Sequence, residues 1–114
     1  MNILNLINKT RLLPLTTLTS REDVEPLCDI LLDASIPYIE ITLRDQRTLG
    51  IIDEFKKFPD IHLGIGTIRT IEHIDIAAEA DASFLITPGF SESLANHDAL
   101  KNIPMIPGVQ TPSE

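Results

Sequence analysis

The fold of this chain follows from one stretch, Ile36-Pro37-Tyr38-Ile39-Glu40-Ile41-Thr42-Leu43-Arg44. Its β-branched and apolar residues alternate with polar ones, a pattern that predicts a β-strand. Successive side chains of a strand point to opposite faces. One face carries Ile39, Ile41 and Leu43, and the other carries Tyr38, Glu40, Thr42 and Arg44. The first face suits a hydrophobic core, whereas the second needs a specific explanation.

Glu40 and Arg44 share that second face. A buried carboxylate is costly unless it is paired or hydrogen-bonded. Four residues of extended chain separate the two side chains by roughly 13 Å, which is too far for a direct salt bridge along the strand. A small substrate lying between them, with its carboxylate on Arg44 and its reacting carbon near Glu40, would explain both residues. The alternative is that both are solvated at the exposed end of an edge strand.

The composition is that of one ordinary domain of 114 residues. The chain is 43% hydrophobic with a mean hydropathy of +0.11, so it can bury a core. A net charge of −8 and a pI of about 4.7 argue against a nucleic-acid partner, which usually needs a basic patch. No apolar run is as long as a membrane span and the first residues lack a signal-peptide pattern, so we expect a soluble cytoplasmic protein without a membrane partner.

Predicted strands and helices alternate along the chain. The strands are predicted over residues 11–18, 36–44, 61–65, 83–87 and 103–106. Helices are predicted over 2–8, from a cap at Thr19 or Ser20 to residues 33–35, over 48–58, from a cap at Thr70, and over 91–100. Strands that recur every 20 to 25 residues with a helix in each interval predict right-handed βαβ units and a parallel sheet.

The second predicted helix has a clear amphipathic stripe. It consists of Val24, Leu27, Cys28, Leu31 and Leu32. Cys28 is the single cysteine of the chain, so an internal disulfide is excluded. Its apolar neighbours predict a buried, unreactive thiol.

Polar strand residues that point inward favour a barrel over an open sheet, and in either architecture ligands bind at the carboxyl ends of the strands. Glycines and prolines follow the third, fourth and fifth strands and mark that edge. The closing residues Thr111-Pro112-Ser113-Glu114 form a capping box that opens a helix. A whole barrel needs roughly 200 residues or more. We therefore expect residues 1–114 to form a single truncated barrel domain, with a leading helix at 2–8, βα units over 11–110 and the start of a helix at 111–114.

Four motifs in this order carry a resemblance to one family. They are Tyr38-Ile39-Glu40-Ile41-Thr42-Leu43-Arg44, Gly64-Ile65-Gly66-Thr67-Ile68, Thr87-Pro88-Gly89-Phe90 and Ile103-Pro104-Met105-Ile106-Pro107-Gly108-Val109. Over residues 11–114 the chain resembles the amino-terminal half of the 2-keto-3-deoxy-6-phosphogluconate / 4-hydroxy-2-oxoglutarate aldolase family. The resemblance implies a (β/α)8 TIM barrel, commonly a trimer. It also implies a lyase of carbohydrate metabolism that cleaves a 2-keto acid through a lysine Schiff base, giving pyruvate and an aldehyde without a cofactor.

The same resemblance implies roles for five residues. Glu40 would be the general acid/base during carbinolamine formation and carbon–carbon cleavage. Arg44 would hold the pyruvate carboxylate, with help from Thr67, while Pro88 and Gly89 would shape the wall of the pocket. These roles agree with the carboxylate and arginine found on one face of the second strand.

The Schiff-base lysine is where the sequence departs from the family, which carries it on the sixth strand and binds phosphate after strands seven and eight. The lysines of this chain are Lys9, Lys56, Lys57 and Lys101. None matches the family position, and Lys101 falls in a predicted loop. We therefore expect the chain alone to be inactive. The alternative is a non-catalytic half barrel that self-associates or pairs with a separate second half.

Metal and dinucleotide sites are weakly supported. His62, His73 and His97 have spacings of 11 and 24, which match no usual zinc pattern. Glu40 with Asp45 would be a magnesium pair, but no further ligands accompany them. The run Gly64-Ile65-Gly66 lacks the third glycine of a dinucleotide fingerprint. We therefore expect no metal and no cofactor.

Overall fold

The structure is a computed structural model that describes residues 2–111 and 113. The strands are β1 (Leu15–Thr16), β2 (Tyr38–Thr42), β3 (His62–Gly66), β4 (Phe84–Thr87) and β5 (Met105–Pro107). The α-helices are α1 (Ile3–Thr10), α2 (Val24–Asp33), α3 (Gln46–Leu49), α4 (Ile71–Glu79) and α5 (Glu92–Ala95). Three 3-10 helices cover Arg21–Asp23, Ile52–Lys57 and Asp98–Lys101.

The five strands form one parallel sheet in the order β1-β2-β3-β4-β5. The predicted alternation of strands and helices is confirmed. A doubly wound sheet reverses its strand order at a switch point, whereas a barrel adds each strand beside the previous one. In the described residues the order never reverses, which is the arrangement of a barrel segment.

The outward face of the sheet holds the main hydrophobic core. Ile39 and Ile41 of β2 are buried there, as the alternation of that strand predicts. Val24, Cys28 and Leu31 of α2 belong to the same core. Leu32 is 41% exposed, so the apolar stripe of α2 is narrower than predicted. Burial raises the pKa of the Cys28 thiol to about 11, which keeps it protonated and unreactive.

The inward face is covered at its amino-terminal edge by α1. Ile3 of α1 packs with Tyr38 and Phe84 in a second buried cluster. The Tyr38 hydroxyl donates a hydrogen bond to the Leu12 carbonyl at 2.6 Å and makes a second one with the Thr10 hydroxyl. The leading helix is thereby fixed to the start of β2, and the polar tip of a buried tyrosine is satisfied.

The first strand is shorter than the predicted 11–18, and that prediction is wrong at both ends, because residues 11–14 and 17–18 lie outside the strand. Arg11 adopts a left-handed conformation with φ 60° and caps α1, donating to the Ile7 carbonyl at 2.7 Å. Pro14 has no N–H to give to a ladder, although its carbonyl accepts from the Glu40 amide at 2.9 Å. Regular strand geometry is therefore confined to Leu15–Thr16.

Two of the predicted helices are divided. The 48–58 helix is α3 followed by the 3-10 helix Ile52–Lys57, because the Gly50 amide closes α3 after one turn. The 91–100 helix is α5 followed by Asp98–Lys101, because His97 is extended and its ring accepts from the Ala99 amide at 3.0 Å. Lys101 thus ends a short helix and does not lie in a loop.

Three further predictions concern the amino-terminal ends of helices. The cap at Thr70 is confirmed, since its hydroxyl accepts from the His73 amide at 3.2 Å. Ser20 precedes a 3-10 turn, and its hydroxyl donates to Glu22 instead of capping the backbone. The predicted capping box at 111–114 depends on Pro112 and Glu114, which lie outside the described residues. Within residues 2–111 and 113, none of the helices is long and apolar enough to span a membrane.

Gly64 provides the space that the Phe84 ring occupies, since the two residues are register partners on β3 and β4. A Cβ at position 64 would lie 2.1 Å from two ring carbons of Phe84. We therefore expect Gly64→Ala to lower the free energy of unfolding by about 1–3 kcal/mol through overpacking. Urea denaturation measures this change.

The smaller side chain in Phe84→Leu makes room for the added methyl group. The cost of Gly64→Ala is therefore expected to fall by at least about half in the Phe84→Leu background. Gly50→Ala is the matched control, because its Cβ would make only an ordinary 3.7 Å contact with the Arg47 carbonyl. Equal costs of Gly64→Ala in the two backgrounds would contradict this explanation.

Candidate active site

The residues predicted to bind substrate gather at one edge of the sheet. Arg44 follows β2, Thr67 follows β3, and Pro88 and Gly89 follow β4. The strands are parallel and adjacent, so their carboxyl ends meet at the same edge. Glu40 lies inside β2, on the inward face. The fold therefore brings the five predicted residues to one side of the molecule.

Glu40 is a buried charged residue of the inward face. It is 5% exposed and lies on β2, which pairs with β1 on one side and β3 on the other. The alternative that placed this glutamate, solvated, at the end of an edge strand is therefore wrong. Arg44 is exposed, beyond the end of the strand. Among the described residues none donates a hydrogen bond to the Glu40 carboxylate.

Gly66 on β3 creates the space for this carboxylate. A Cβ at position 66 would lie 1.8 Å from Oε1 of Glu40 and 2.7 Å from its carboxyl carbon. The side chain of Glu40 therefore lies across the backbone of the neighbouring strand. The two glycines of Gly64-Ile65-Gly66 thus admit side chains from β4 and β2, and this packing role accounts for them without a dinucleotide.

The environment of Glu40 alters its acidity. Burial raises the pKa of its carboxyl group, and the positive charge of Arg44 acts in the opposite direction. A carboxyl group with a raised pKa can exchange a proton closer to neutral pH than an ordinary glutamate can. This is the property that a general acid/base requires.

Thr67 occupies a strained position at the end of β3. Its φ is 61°, in the left-handed region that a β-branched residue rarely adopts. The next residue is tied to β4, because the Ile68 amide donates to the Ile86 carbonyl at 3.1 Å. Strained residues of this kind concentrate at functional sites. The sequence contains no signal for this conformation.

A pair of threonine hydroxyls near Glu40 was missed by the sequence analysis. The hydroxyls of Thr17 and Thr42 are hydrogen-bonded to each other. Thr42 is fully buried and is the register partner of Gly66. The alternation of β2 already places Thr42 on the face of Glu40, but Thr17 follows β1 and its position depends on strand pairing.

The 88–90 loop forms one side of a cavity. The cavity has a volume of about 360 Å³, and Pro88, Gly89, Phe90, Gly108, Val109 and Gln110 line it. The Thr87 hydroxyl donates to the Gly89 carbonyl at 2.7 Å, which fixes the turn after β4. The predicted pocket wall is thus an ordered turn.

The four lysines lie away from this edge. Each precedes the amino-terminal end of the strand that follows it, and all four are exposed. Lys57 pairs with Glu54 at 2.9 Å, and Lys101 pairs with Asp98 at 3.6 Å. Lys56 pairs with Asp81 at 3.8 Å, in a surface cavity beside the start of β3. None of these four residues follows the carboxyl end of a strand, where Arg44 and Thr67 lie.

Three of the metal candidates, His73, His97 and Asp45, are committed to other contacts. Nδ1 of His73 accepts from the Arg69 amide at 3.0 Å, and Nε2 of His97 lies 2.8 Å from Asp75. Asp45 caps α3 and pairs with Arg47 at 2.7 Å, and these contacts lower its pKa to about 2. Across the described residues, 2–111 and 113, no group of three or more acidic, histidine or cysteine side chains is arranged to hold a metal ion.

Comparison with known proteins agrees with the fold described above. A sequence model of the family "KDPG and KHG aldolase" matches residues 3–114. A curated 2-dehydro-3-deoxy-phosphogluconate aldolase from Treponema pallidum is 31% identical over 113 residues, covering 98% of this chain and 54% of the relative. The same enzyme from Pseudomonas aeruginosa is 32% identical, covering 96% of this chain and 50% of the relative.

Solved structures show the same relationship. A 4-hydroxy-2-oxoglutarate / 2-dehydro-3-deoxyphosphogluconate aldolase superposes with a TM-score of 0.88 at 36% identity, covering 100% of this chain and 56% of that one. The KDPG aldolase of Legionella pneumophila, solved with pyruvate captured as a covalent carbinolamine intermediate, has a TM-score of 0.76 at 30% identity over 89% of this chain and 50% of that one.

These matches show the fold class of the chain and the family to which it belongs. The sequential parallel strands match the first half of α/β barrel enzymes. The chain belongs to the KDPG and KHG aldolase family, whose members are carbon–carbon lyases. It spans about half the length of the curated relatives that it matches.

The raised pKa of Glu40 predicts a pH-dependent effect of Glu40→Gln on stability. The folded state holds this proton more tightly than the unfolded state, so the wild-type chain loses stability as pH rises from the ordinary glutamate pKa through the raised value. Glutamine at position 40 does not titrate, so the variant does not lose stability in this way as pH rises. We expect the variant to be more stable than wild type at pH 7 and the difference to vanish below about pH 4.

Urea denaturation at a series of pH values measures the difference. The exposed carboxylate of Asp29 on α2 provides the control, because Asp29→Asn makes the same acid-to-amide change outside the site. A Glu40→Gln variant less stable than wild type at pH 7 would show that the carboxylate is stabilised in the folded chain.

Proposed function

We propose that this chain carries the proton-transfer and carboxylate-binding side of an aldolase site for a 2-keto acid that yields pyruvate and an aldehyde. The observation that supports this most directly is the position of Glu40. It is a buried carboxyl group with a raised pKa, on the same strand as the exposed Arg44, at the ligand-binding edge of a barrel-type sheet. Glu40 supplies a proton-transfer group, and Arg44 supplies a cation for the carboxylate of the substrate.

Glu40 is assigned the role of general acid/base. Aldol cleavage requires a base to take the proton of the hydroxyl group as the carbon–carbon bond breaks, and an acid to return a proton to the pyruvate carbon. One carboxyl group serves both steps when its pKa is raised towards neutral pH. The space over Gly66 holds the carboxylate on the inward face, where a substrate at the strand ends can reach it.

Arg44 and Thr67 are assigned to the carboxylate of the substrate. A guanidinium group donates two parallel hydrogen bonds to a carboxylate, which fixes both its position and its orientation. No ion pair of Arg44 occurs within the described residues, so its guanidinium group is available to a ligand. Thr67 follows the adjacent strand β3, and Pro88 and Gly89 follow β4. They complete the edge around the keto acid.

This proposal assigns no amine nucleophile to residues 2–111. The four lysines precede the amino-terminal ends of strands, and three of them are paired with acids. Condensation with the keto carbon requires an amine close to the acid/base group. Self-association of the chain, a trimer and a separate second half all stay predictions, because the structure describes a single chain.

Pyruvate binding distinguishes Arg44 from its neighbour Arg47. Both side chains are exposed, but Arg47 is held by Asp45. Lysine at position 44 keeps the charge and loses one of two hydrogen bonds. We therefore expect Arg44→Lys to weaken pyruvate binding by about tenfold, the equivalent of about 1.4 kcal/mol.

Titration of the 114-residue chain with pyruvate, followed by NMR, measures both affinities. Arg47→Lys is the matched control and is expected to bind like the wild type. Equal weakening by the two variants would indicate a general charge effect, and the assignment of Arg44 would then fail.

Reductive trapping tests the absence of an amine from this edge. We expect the 114-residue chain, treated with pyruvate and borohydride, to show no increase in intact mass, because each of its lysines precedes the amino-terminal end of a strand. The Legionella pneumophila aldolase, treated in parallel, controls for the trapping conditions. A mass increase at one of the four lysines would overturn this part of the proposal and identify the nucleophile.

A further inference from the structure

The loops that follow β4 and β5 meet through their backbones. Thr87 and Pro107 are register partners at the ends of the two strands. One residue further, the Gly108 amide donates to the Thr87 carbonyl at 2.8 Å. This hydrogen bond holds the start of the 108–110 segment against the start of the 88–90 loop.

At Gly108 the backbones of the two loops are in close contact. A Cβ at position 108 would lie 2.5 Å from the Pro88 carbonyl oxygen and 2.8 Å from its carbon. These are backbone atoms, so no side-chain rotation relieves the contact, and the loop itself would have to move by about 1 Å to reach an ordinary van der Waals distance. Gly108 has no positive φ. Glycine is therefore required at position 108 because the Pro88 backbone lies so close, and not because of an unusual backbone angle.

The Thr87 hydroxyl holds the same loop through a second hydrogen bond. Thr87 is 2% exposed, and its hydroxyl donates to the Gly89 carbonyl at 2.7 Å. Pro88 between them has a fixed φ. By contrast, a Cβ at Gly89 would meet nothing within 4 Å, so this part of the loop faces open space. The turn is thus held by Thr87 and Gly108 while its outer surface remains free.

We propose that Gly108 is a positioning residue for the Pro88 and Gly89 wall of the site, with the Thr87 hydroxyl as its partner. The inference rests on the proposed function, in which this wall bounds the keto-acid pocket. Neither residue is assigned a contact with the substrate. Both act through the backbone of the 88–90 loop, and a displacement of about 1 Å at such a wall is large enough to misplace a bound ligand.

Two readouts on Gly108→Ala test this role. The first is the backbone amide resonances of Gly89 and Phe90 in 15N–1H NMR spectra, which report the loop directly. The second is pyruvate affinity. We expect Gly108→Ala to shift the two amide resonances and to weaken pyruvate binding about tenfold, while resonances of α2 remain in place. Gly50→Ala, which adds the same methyl group without a close contact, is expected to change neither.

Variants of Thr87 supply a second test that does not depend on Gly108→Ala folding. Valine has the shape of threonine without the hydroxyl, so Thr87→Val is expected to shift the Gly89 and Phe90 resonances. Thr87→Ser keeps the hydroxyl and is expected to restore them towards wild type. Equal shifts in the valine and serine variants would overturn the role of the hydroxyl.

The outcomes separate this inference from the proposed function. Unmoved Gly89 and Phe90 resonances in a folded Gly108→Ala chain would overturn the positioning role, whatever the pyruvate result. A wild-type chain that binds no pyruvate would overturn the proposed function, and the resonances would still decide whether Gly108 positions the loop.

Discussion

The site depends on one close approach, the Glu40 carboxylate lying over the backbone of Gly66. A carboxylate on a central strand is stable only if the sheet leaves space for it. The adjacent strand provides that space because it has no side chain at Gly66, two residues beyond the register partner of Glu40. Burial then raises the pKa of the carboxyl group, while Arg44 limits the rise. Position and acidity therefore have the same origin.

Three glycines of this chain are required by close packing, and the left-handed backbone conformations fall on residues other than glycine. Gly64, Gly66 and Gly108 have ordinary backbone angles and admit a neighbouring ring, carboxylate or carbonyl. The left-handed conformations fall on Arg11, Ser35, Thr67 and Asp81. At three of these four positions the chain leaves a helix, where such a conformation is common. Thr67 leaves a strand at the candidate site, so its strain is the one with a functional context.

Charge is also distributed unevenly between the two edges of the sheet. Arg21, Arg44, Arg47 and Arg69 follow the carboxyl ends of strands, whereas the four lysines precede the strands. Arg21 is bound to Glu54 and Asp53, and Arg47 to Asp45. In a chain of net charge −8, Arg44 has no ion pair among the described residues and follows the strand that holds Glu40, which supports the proposal of a carboxylate ligand at this edge. Three of the four lysines, Lys56, Lys57 and Lys101, form surface ion pairs.

The sequence alone determined the succession of strands and helices, the buried and polar faces of β2, and the edge at which Arg44, Thr67, Pro88 and Gly89 meet. These follow from periodicity and from parallel pairing, which are local properties repeated along the chain. Tertiary structure alone decided that β1 is two residues long, because the hydrogen bond from the Tyr38 hydroxyl to the Leu12 carbonyl fixes the chain that precedes Leu15. It also decided that Gly66 accommodates Glu40 and that Gly108 abuts Pro88. Such contacts join residues more than 19 positions apart, and no spacing rule within one strand can specify them.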